Sequence, residues 1–571
     1  MTRLPLGLAQ LLRWNLGLCV AFFALLEIWR PCYFLTDDNL SSLFPVFTEI
    51  GRHLKSGQSP FVNTHLFGGA YDLSRDPGFL YWHPFYLLPC LLADTFARFW
   101  ILDVIAFLLL LLATTGFTLL AARLRDEFNP ELPAFELCFI TQSYIFSTFI
   151  LTSSASWINF LGNEGALPWL VWGIFDRRLW RGVSVIAVVT IHQMLSGFAG
   201  LTLSTEFFLT LFAIMLALGR RSPVPFLVWC VGSAIGFLVL LPFLAHVLAG
   251  FAQSSRAGGV TALQDPGFEI PALIFPSSLF FGNWAQPLAF TRSYFALKSF
   301  GFPFVSTLLA CAAAWCILPV AVDRKTRWRY PDVAIVAVLI FLAVWIIRPE
   351  RITEVMHQLP VLRSLRWPFR ESLEFLFFFH VLLVLRFRAD GLMRPAILCS
   401  SFAAFVLPLP FDRVPTYNPF SLDRKLVLSG EAEAFWNKER TLLKPDDQIA
   451  TVIDLDLWKA STSSIPYTLL GTANYPALFG VVSVEGYSTT VPLDQVPIKI
   501  PPHFWYGAFT PGQVPALLKE RPNVRLVRIV QVNPLKITLT SADGQPIDLS
   551  GDIPPDVRGA NAPAQPTGKA P

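Results

Sequence analysis

Two adjacent carboxylates, Asp37 and Asp38, stand directly after the first long apolar run of the chain. Side by side they repel, which can lift one pKa toward a range useful for proton transfer. Such a pair can act as a general base or take a cation at a membrane surface. It also suits a solvated helix end, with Thr36 or Asp37 capping the amphipathic segment 40–55. The same stretch continues through Gly68-Gly69-Ala70-Tyr71-Asp72 and Asp76-Pro77 to Tyr81-Trp82-His83-Pro84. The aromatic residues fit an interfacial belt. Asp72, Asp76 and His83 are further substrate-binding candidates, although Asp76-Pro77 also suits the start of a turn.

A second concentration of chemistry lies at 348–370, where five arginines, among them Arg363, Arg366 and Arg370, face only Glu350 and Glu354. Guanidinium forks bind phosphate oxygens in pairs, so this segment reads as an anion site or as a contact with lipid headgroups. Polar groups also interrupt the apolar runs: Glu27 with Arg30, Asp103, His192-Gln193 and Glu206. Charges are costly in lipid and normally face a cavity or a partner. Glu27 and Arg30 can pair at helical spacing. His192 and Glu206, on either side of Ser196-Gly197, could approach one cavity, with His192 a further substrate-binding candidate.

These residues must be positioned by apolar helices. The chain has 571 residues, 54% of them hydrophobic and 15% charged, against roughly 25% charged in a soluble domain. About 20 mostly apolar residues cross a bilayer. Runs near 12–33, 97–121, 133–151, 165–176, 183–199, 200–219, 223–247, 299–321, 332–347, 369–387 and 394–410 predict about eleven spans. The first is read as a retained span, not a cleaved signal. Residues 84–93 are too few to cross and suit a re-entrant or interfacial helix.

With the N-terminus inside, every short inside loop carries arginine or lysine, as Arg177, Arg178 and Arg181 do. The division is a transmembrane domain at 1–411, an outer soluble domain at 412–553 and a disordered tail at 554–571. Val, Ile and Thr in 449–455, 479–487 and 524–540 predict strands, and 512–520 a short helix. The fold class is thus an α-helical polytopic membrane protein with a C-terminal α/β or mostly β domain.

The eight cysteines all precede residue 400 and form no CxxC, which argues against a zinc or redox site. A formal net charge of +4 gives no footprint for nucleic acid. No cofactor is assigned. Asp37 and Asp38 could take a divalent cation, but alone they supply few ligands.

The order of motifs resembles the GT-C superfamily of integral membrane glycosyltransferases, within it the bacterial branch that glycosylates lipoteichoic acid and related envelope polymers. The residues that carry the resemblance are Asp37-Asp38; Asp76-Pro77 with Tyr81 and Pro84; Leu195-Ser196-Gly197; Leu241-Pro242; Arg366-Trp367-Pro368-Phe369-Arg370; and Val484-Glu485-Gly486-Tyr487. Phe198 departs from the pattern, where the family has histidine after Ser-Gly.

The resemblance implies a bacterial cytoplasmic membrane, an outer C-terminal domain and a polyprenyl-phosphate-linked sugar as donor. The acceptor would be an envelope glycan or lipid. It makes Asp37 or Asp38 the base and implies inversion at the anomeric carbon. Two other readings stay open: a transporter or flippase of lipid-linked saccharides using His192 and Glu206, and a non-catalytic envelope-assembly protein.

Overall fold

A computed structural model describes residues 7–35, 38–69, 71–75, 83–93, 99–197, 199–252, 329–347, 358, 372–387, 421–444, 447–453, 469, 474–484, 486, 509–521, 524–532, 535–540 and 545–552. The chain divides into two compact units. The first comprises Met1–Phe34, Asp103–Leu248 and Arg256–Phe411; the second comprises Leu35–Leu102, Ala249–Ser255 and Asp412–Pro571.

The described elements that fall wholly or mainly in the first unit are helices: α1 (Leu8–Trp29), α4 (Ile101–Phe128), α5 (Ala134–Ile145), α6 (Thr148–Ser156), α7 (Ile158–Phe175), α8 (Leu179–Leu195), α9 (Ala199–Arg220), α10 (Val224–Val239) and α11 (Leu241–Ala252), then helices Tyr330–Ile347 and Ser372–Arg386. Every predicted apolar run that reaches described residues contains helix there, while 299–321 and 394–410 lie outside them. Helix is not span, however. Three described helices are long and apolar enough to cross a membrane, Leu8–Trp29, Ile101–Phe128 and Leu201–Arg220. Among the described residues, length and composition therefore do not support the expected count of about eleven. The run 133–151 breaks at Phe146-Ser147, where the Ser147 hydroxyl caps α6, and 223–247 breaks at Leu240.

Close helix packing uses glycine. A Cβ at Gly232 would lie 2.7 Å from Ile186 Cβ, and one at Gly236 would lie 2.9 Å from Thr190 Cβ. Small residues thus let α10 and α8 approach closely, as membrane helices do where van der Waals packing drives association. The arginines of the predicted inside loops also tie helix ends together. Asp332 holds Arg386 and Arg329, and Arg329 reaches the Leu385 carbonyl at 2.7 Å. Arg220 donates to the Tyr330 hydroxyl at 2.8 Å and faces Glu127 at 3.4 Å.

The second unit joins the predicted first outer loop to the C-terminal segment. A five-stranded sheet has the order β4-β3-β5-β6-β7, with β3 (Gln448–Ile453) parallel to β4 (Val482–Ser483) and to β5 (Val524–Val532). The strands β6 (Leu535–Thr540) and β7 (Pro546–Asp548) add antiparallel pairs. β3 falls on the predicted strand 449–455 and β4 on 479–487, while β5 and β6 make a hairpin of 524–540. Ala450, Val452, Val484, Phe509, Leu517, Val524 and Val527 form the core, with helix Val514–Glu520 packed on it. The predicted tail 554–571 lies outside the described residues.

Candidate functional site

Chain exit from α1 is tied within the first unit. The Glu27 carboxylate accepts from the Cys32 amide at 2.8 Å and the Tyr33 amide at 3.4 Å. Asp103 accepts from the Phe34 amide at 3.0 Å. Cys32 takes φ +56°, a left-handed conformation that these bonds stabilise. The polar residues near the ends of α1 and α4 thereby serve a turn.

Asp38 heads a single turn of π-helix, Asn39–Leu43, that runs without interruption into α2 (Phe44–Ser56). It is half-buried, and every residue of the π turn is buried. Single π turns recur at functional sites. Its neighbour Asp37 lies outside the described residues.

Farther along α2 is a charged cluster that sequence reasoning missed. Glu49 is 1% exposed. Its carboxylate accepts from His65 Nδ1 at 2.8 Å, from the Thr64 hydroxyl at 2.5 Å and from the Thr64 amide at 3.0 Å. His53 Nε2 approaches at 3.3 Å and Arg52 at 3.7 Å. The other nitrogen of His53 meets the Ser59 carbonyl at 2.9 Å. Both ring nitrogens of His53 therefore face acceptors, which the imidazolium satisfies.

Burial alone would raise the Glu49 carboxyl, but hydrogen bonds from His53 and His65 outweigh it and hold it well below the ordinary value. The bond to Glu49 holds His53 above its ordinary value against desolvation. Glu49 is thus a poor base; it can fix the tautomer and direction of His65, as a carboxylate does in a hydrolase triad.

The sequence signal for part of this was present: Glu49 and His53 are spaced i,i+4 on one helix face. His65 and Thr64 arrive through a loop, with no periodicity to announce them.

This loop is built onto the C-terminal sheet. Ser483 of the edge strand β4 donates its amide to the His65 carbonyl at 2.8 Å and accepts the Gly68 amide at 2.8 Å. Segment 65–68 thus covers an edge that would otherwise expose unpaired backbone groups. Arg52 donates to the carbonyls of Ala477 at 3.1 Å and Leu478 at 2.6 Å, at the end of helix Tyr475–Leu478. The Asn474 amide meets the Ser41 carbonyl at 3.0 Å. Glycine is needed at Gly69, whose φ is +90° and whose Cβ would sit 2.9 Å from the Thr64 carbonyl oxygen.

Of the other candidates, Asp72 lies in β2 (Tyr71–Asp72), paired antiparallel with β1 (Val62–Asn63). Its carboxylate accepts from the Ser74 amide at 2.9 Å and hydroxyl at 2.6 Å, a local Asx turn. His83 caps α3 (Pro84–Cys90), its Nδ1 accepting from the Phe85 amide at 3.0 Å. In the first unit, His192 meets the Gly162 carbonyl at 2.9 Å on α7, whereas Glu206 accepts from Thr190 at 3.0 Å and Ser233 at 2.9 Å. These contacts point them at different neighbours: Thr190 and His192 are two residues apart, and so on different faces of α8.

Asp76, Arg363, Arg366 and Arg370 lie outside the described residues. Among the described residues, no group of three or more His, Cys, Asp or Glu side chains could hold a metal ion.

A search of protein-family models finds no match to the chain, and no curated protein matches it.

Proposed function

We propose that the chain is an integral membrane glycosyltransferase that moves a sugar from a polyprenyl phosphate to an envelope glycan or lipid acceptor. In this reading the transfer takes place on the outer face of a bacterial cytoplasmic membrane. The N-terminus is cytoplasmic, about eleven segments cross, and the sheet-bearing unit lies outside.

Three helices of membrane-crossing length and composition support the membrane part. One observation carries the catalytic part: Asp38 stands at the head of a helical turn that continues into α2, shortly after the α1 exit in sequence. A carboxylate carried on helical backbone has its main chain already placed when an acceptor is engaged, and positioning of this kind contributes to catalysis.

In the proposed step Asp37 or Asp38 takes the proton of the acceptor hydroxyl as its oxygen attacks the anomeric carbon. The bond from that carbon to the phosphate oxygen breaks, and the phosphate leaves with the electron pair. Phosphate is a stable anion, so the second carboxylic acid that a glycosidase uses on its leaving group is unnecessary. In this reading Arg366 and Arg370 neutralise the developing charge, and Arg363 is a further substrate-binding candidate.

The test is sugar transfer by membranes given a radiolabelled polyprenyl-phosphate sugar. Asp37→Asn and Asp38→Asn are compared at matched expression. Loss of about 10²–10⁴-fold in one variant identifies the base. Wild-type rates in both remove this assignment. Transport is the second reading, favoured by the buried Glu206 between α8, α9 and α10. Movement of lipid-linked sugar across reconstituted vesicles, with no new glycosidic bond, supports it over transfer.

A further inference from the structure

The first unit contains a cleft of about 380 Å³ between α1 and α5. That volume is within the range of small-molecule sites, ~300–1,000 Å³. Its walls are almost wholly apolar: Trp14, Gly17 and Phe22 from α1, and Phe135 from α5. Trp14 and Gly17 are exposed, so the cleft opens sideways on the outer surface of the helices. Gly17 gives it depth, because a Cβ there would meet nothing within 4 Å.

Two polar features break the apolar lining. Arg13 is exposed at the N-terminal end and makes no ion pair or hydrogen bond with another described residue. Deeper in, Gln142 is 3% exposed. Its amide nitrogen donates to the Asn15 carbonyl at 3.0 Å and to the Asn15 side-chain oxygen at 3.1 Å. Its own oxygen is buried without a partner. A buried acceptor left unpaired costs ~1–3 kcal/mol, so a ligand that brings a donor is favoured there.

We propose that this cleft is a specific site for one anionic diacyl phospholipid of the bilayer. One acyl chain lies along Gly17 and Phe22, and the phosphate meets the Arg13 guanidinium. The charge complementarity is direct: a cation with no partner among the described residues stands at one end of an apolar slot. The second turn of a crossing helix is also the depth at which arginine extends toward headgroups. Trp14 beside it has the amphipathic ring that sits at headgroup level. A headgroup hydroxyl, as phosphatidylglycerol carries, supplies the donor that Gln142 lacks. The inference rests on α1 crossing a membrane and is independent of sugar transfer.

The test uses the full chain in nanodiscs holding phosphatidylglycerol or phosphatidylcholine, each with a diazirine in one acyl chain. Photolysis and peptide mass spectrometry map the labelled residues. The expected result is labelling at 13–22 and 135–142, about fivefold greater with phosphatidylglycerol. That ratio corresponds to about 1 kcal/mol for one basic residue near the surface.

Arg13→Gln should remove the preference, Arg13→Lys should retain it, and Gly17→Leu should reduce labelling by both lipids. Equal labelling of the wild-type protein by the two lipids overturns the proposal without recourse to any variant. So does labelling spread evenly over the exposed helices, or a preference that survives Arg13→Gln.

Discussion

The Nδ1–H of His65 meets both oxygens of the Glu49 carboxylate at 2.8 Å. From this contact the attachment of the first loop to the C-terminal sheet can be traced outward. Glu49 sets Thr64 and His65, and the His65 carbonyl then receives the Ser483 amide. Asp38 precedes Glu49 by 11 residues, roughly 16 Å along a helix rising about 1.5 Å per residue. The two carboxylates cannot serve one reacting atom, so Glu49 holds the loop, and Asp37 and Asp38 remain the candidate bases of the proposed transfer.

Replacing Glu49 by Gln should detach the loop. Removing one partner of a buried ion pair costs ~3–5 kcal/mol, because the remaining charges lose their compensation. The Thr64 amide, which Glu49 accepts, should lose hydrogen-exchange protection, and the Ser483 amide with it. Unchanged protection at both positions would show that the backbone pairing alone keeps the loop in place.

The same cluster should make attachment depend on pH. His53 is raised above its ordinary 6.5, so its contribution is complete below that value and is lost as pH rises through the raised one. Glu49 is depressed below its ordinary 4.5, so its contribution is complete above 4.5 and is lost as pH falls through the lowered value. Protection of the Thr64 amide should therefore be greatest between about 4.5 and 6.5 and fall on the alkaline side. His53→Gln should flatten that alkaline fall; an unaltered profile would assign it to another group.

A second buried pair offers a sharper stability test. Arg528, wholly buried in β5, donates to Glu439 at 2.9 Å and lies 4.8 Å from the Trp436 ring centre. Glu439→Gln or Arg528→Met alone should cost ~3–5 kcal/mol, whereas replacing both with apolar residues should restore most of it. Thermal unfolding of the three variants measures this; equal losses in singles and double would mean that packing, not charge, dominates.

Glycine substitutions should separate tight from open helix surfaces. Gly236→Leu forces side-chain atoms into Thr190 and should cost at least ~1–3 kcal/mol as overpacking. Gly17→Ala has open space and should be neutral or slightly stabilising in a helix. Thermal melting in one detergent compares them directly.

Much of the helical architecture was legible because apolar runs are local signals. Length was less so: Ser147 and Leu240 end helices within runs that read as continuous, since a cap or a changed ψ leaves hydrophobicity intact. Asp72 and His83 attracted attention as titratable residues, yet each carries a local cap, with Ser74 and with Phe85. The composite second unit was not legible at all. Its ties, from His65 and Gly68 to Ser483 and from Arg52 to Ala477, end on backbone atoms, which have no residue-type signature.

The edge pairing at Ser483 also sets an order of assembly. Segment 65–68 is synthesised early, and its partner strand follows about 400 residues later. At ~5–20 residues per second that interval is roughly 20–80 s. Throughout it the early segment has hydrogen-bonding groups ready for a strand that does not yet exist. A chaperone that shields extended backbone during that wait should raise the yield of assembled protein, and a chain cut short before residue 474 should leave the segment open to proteases.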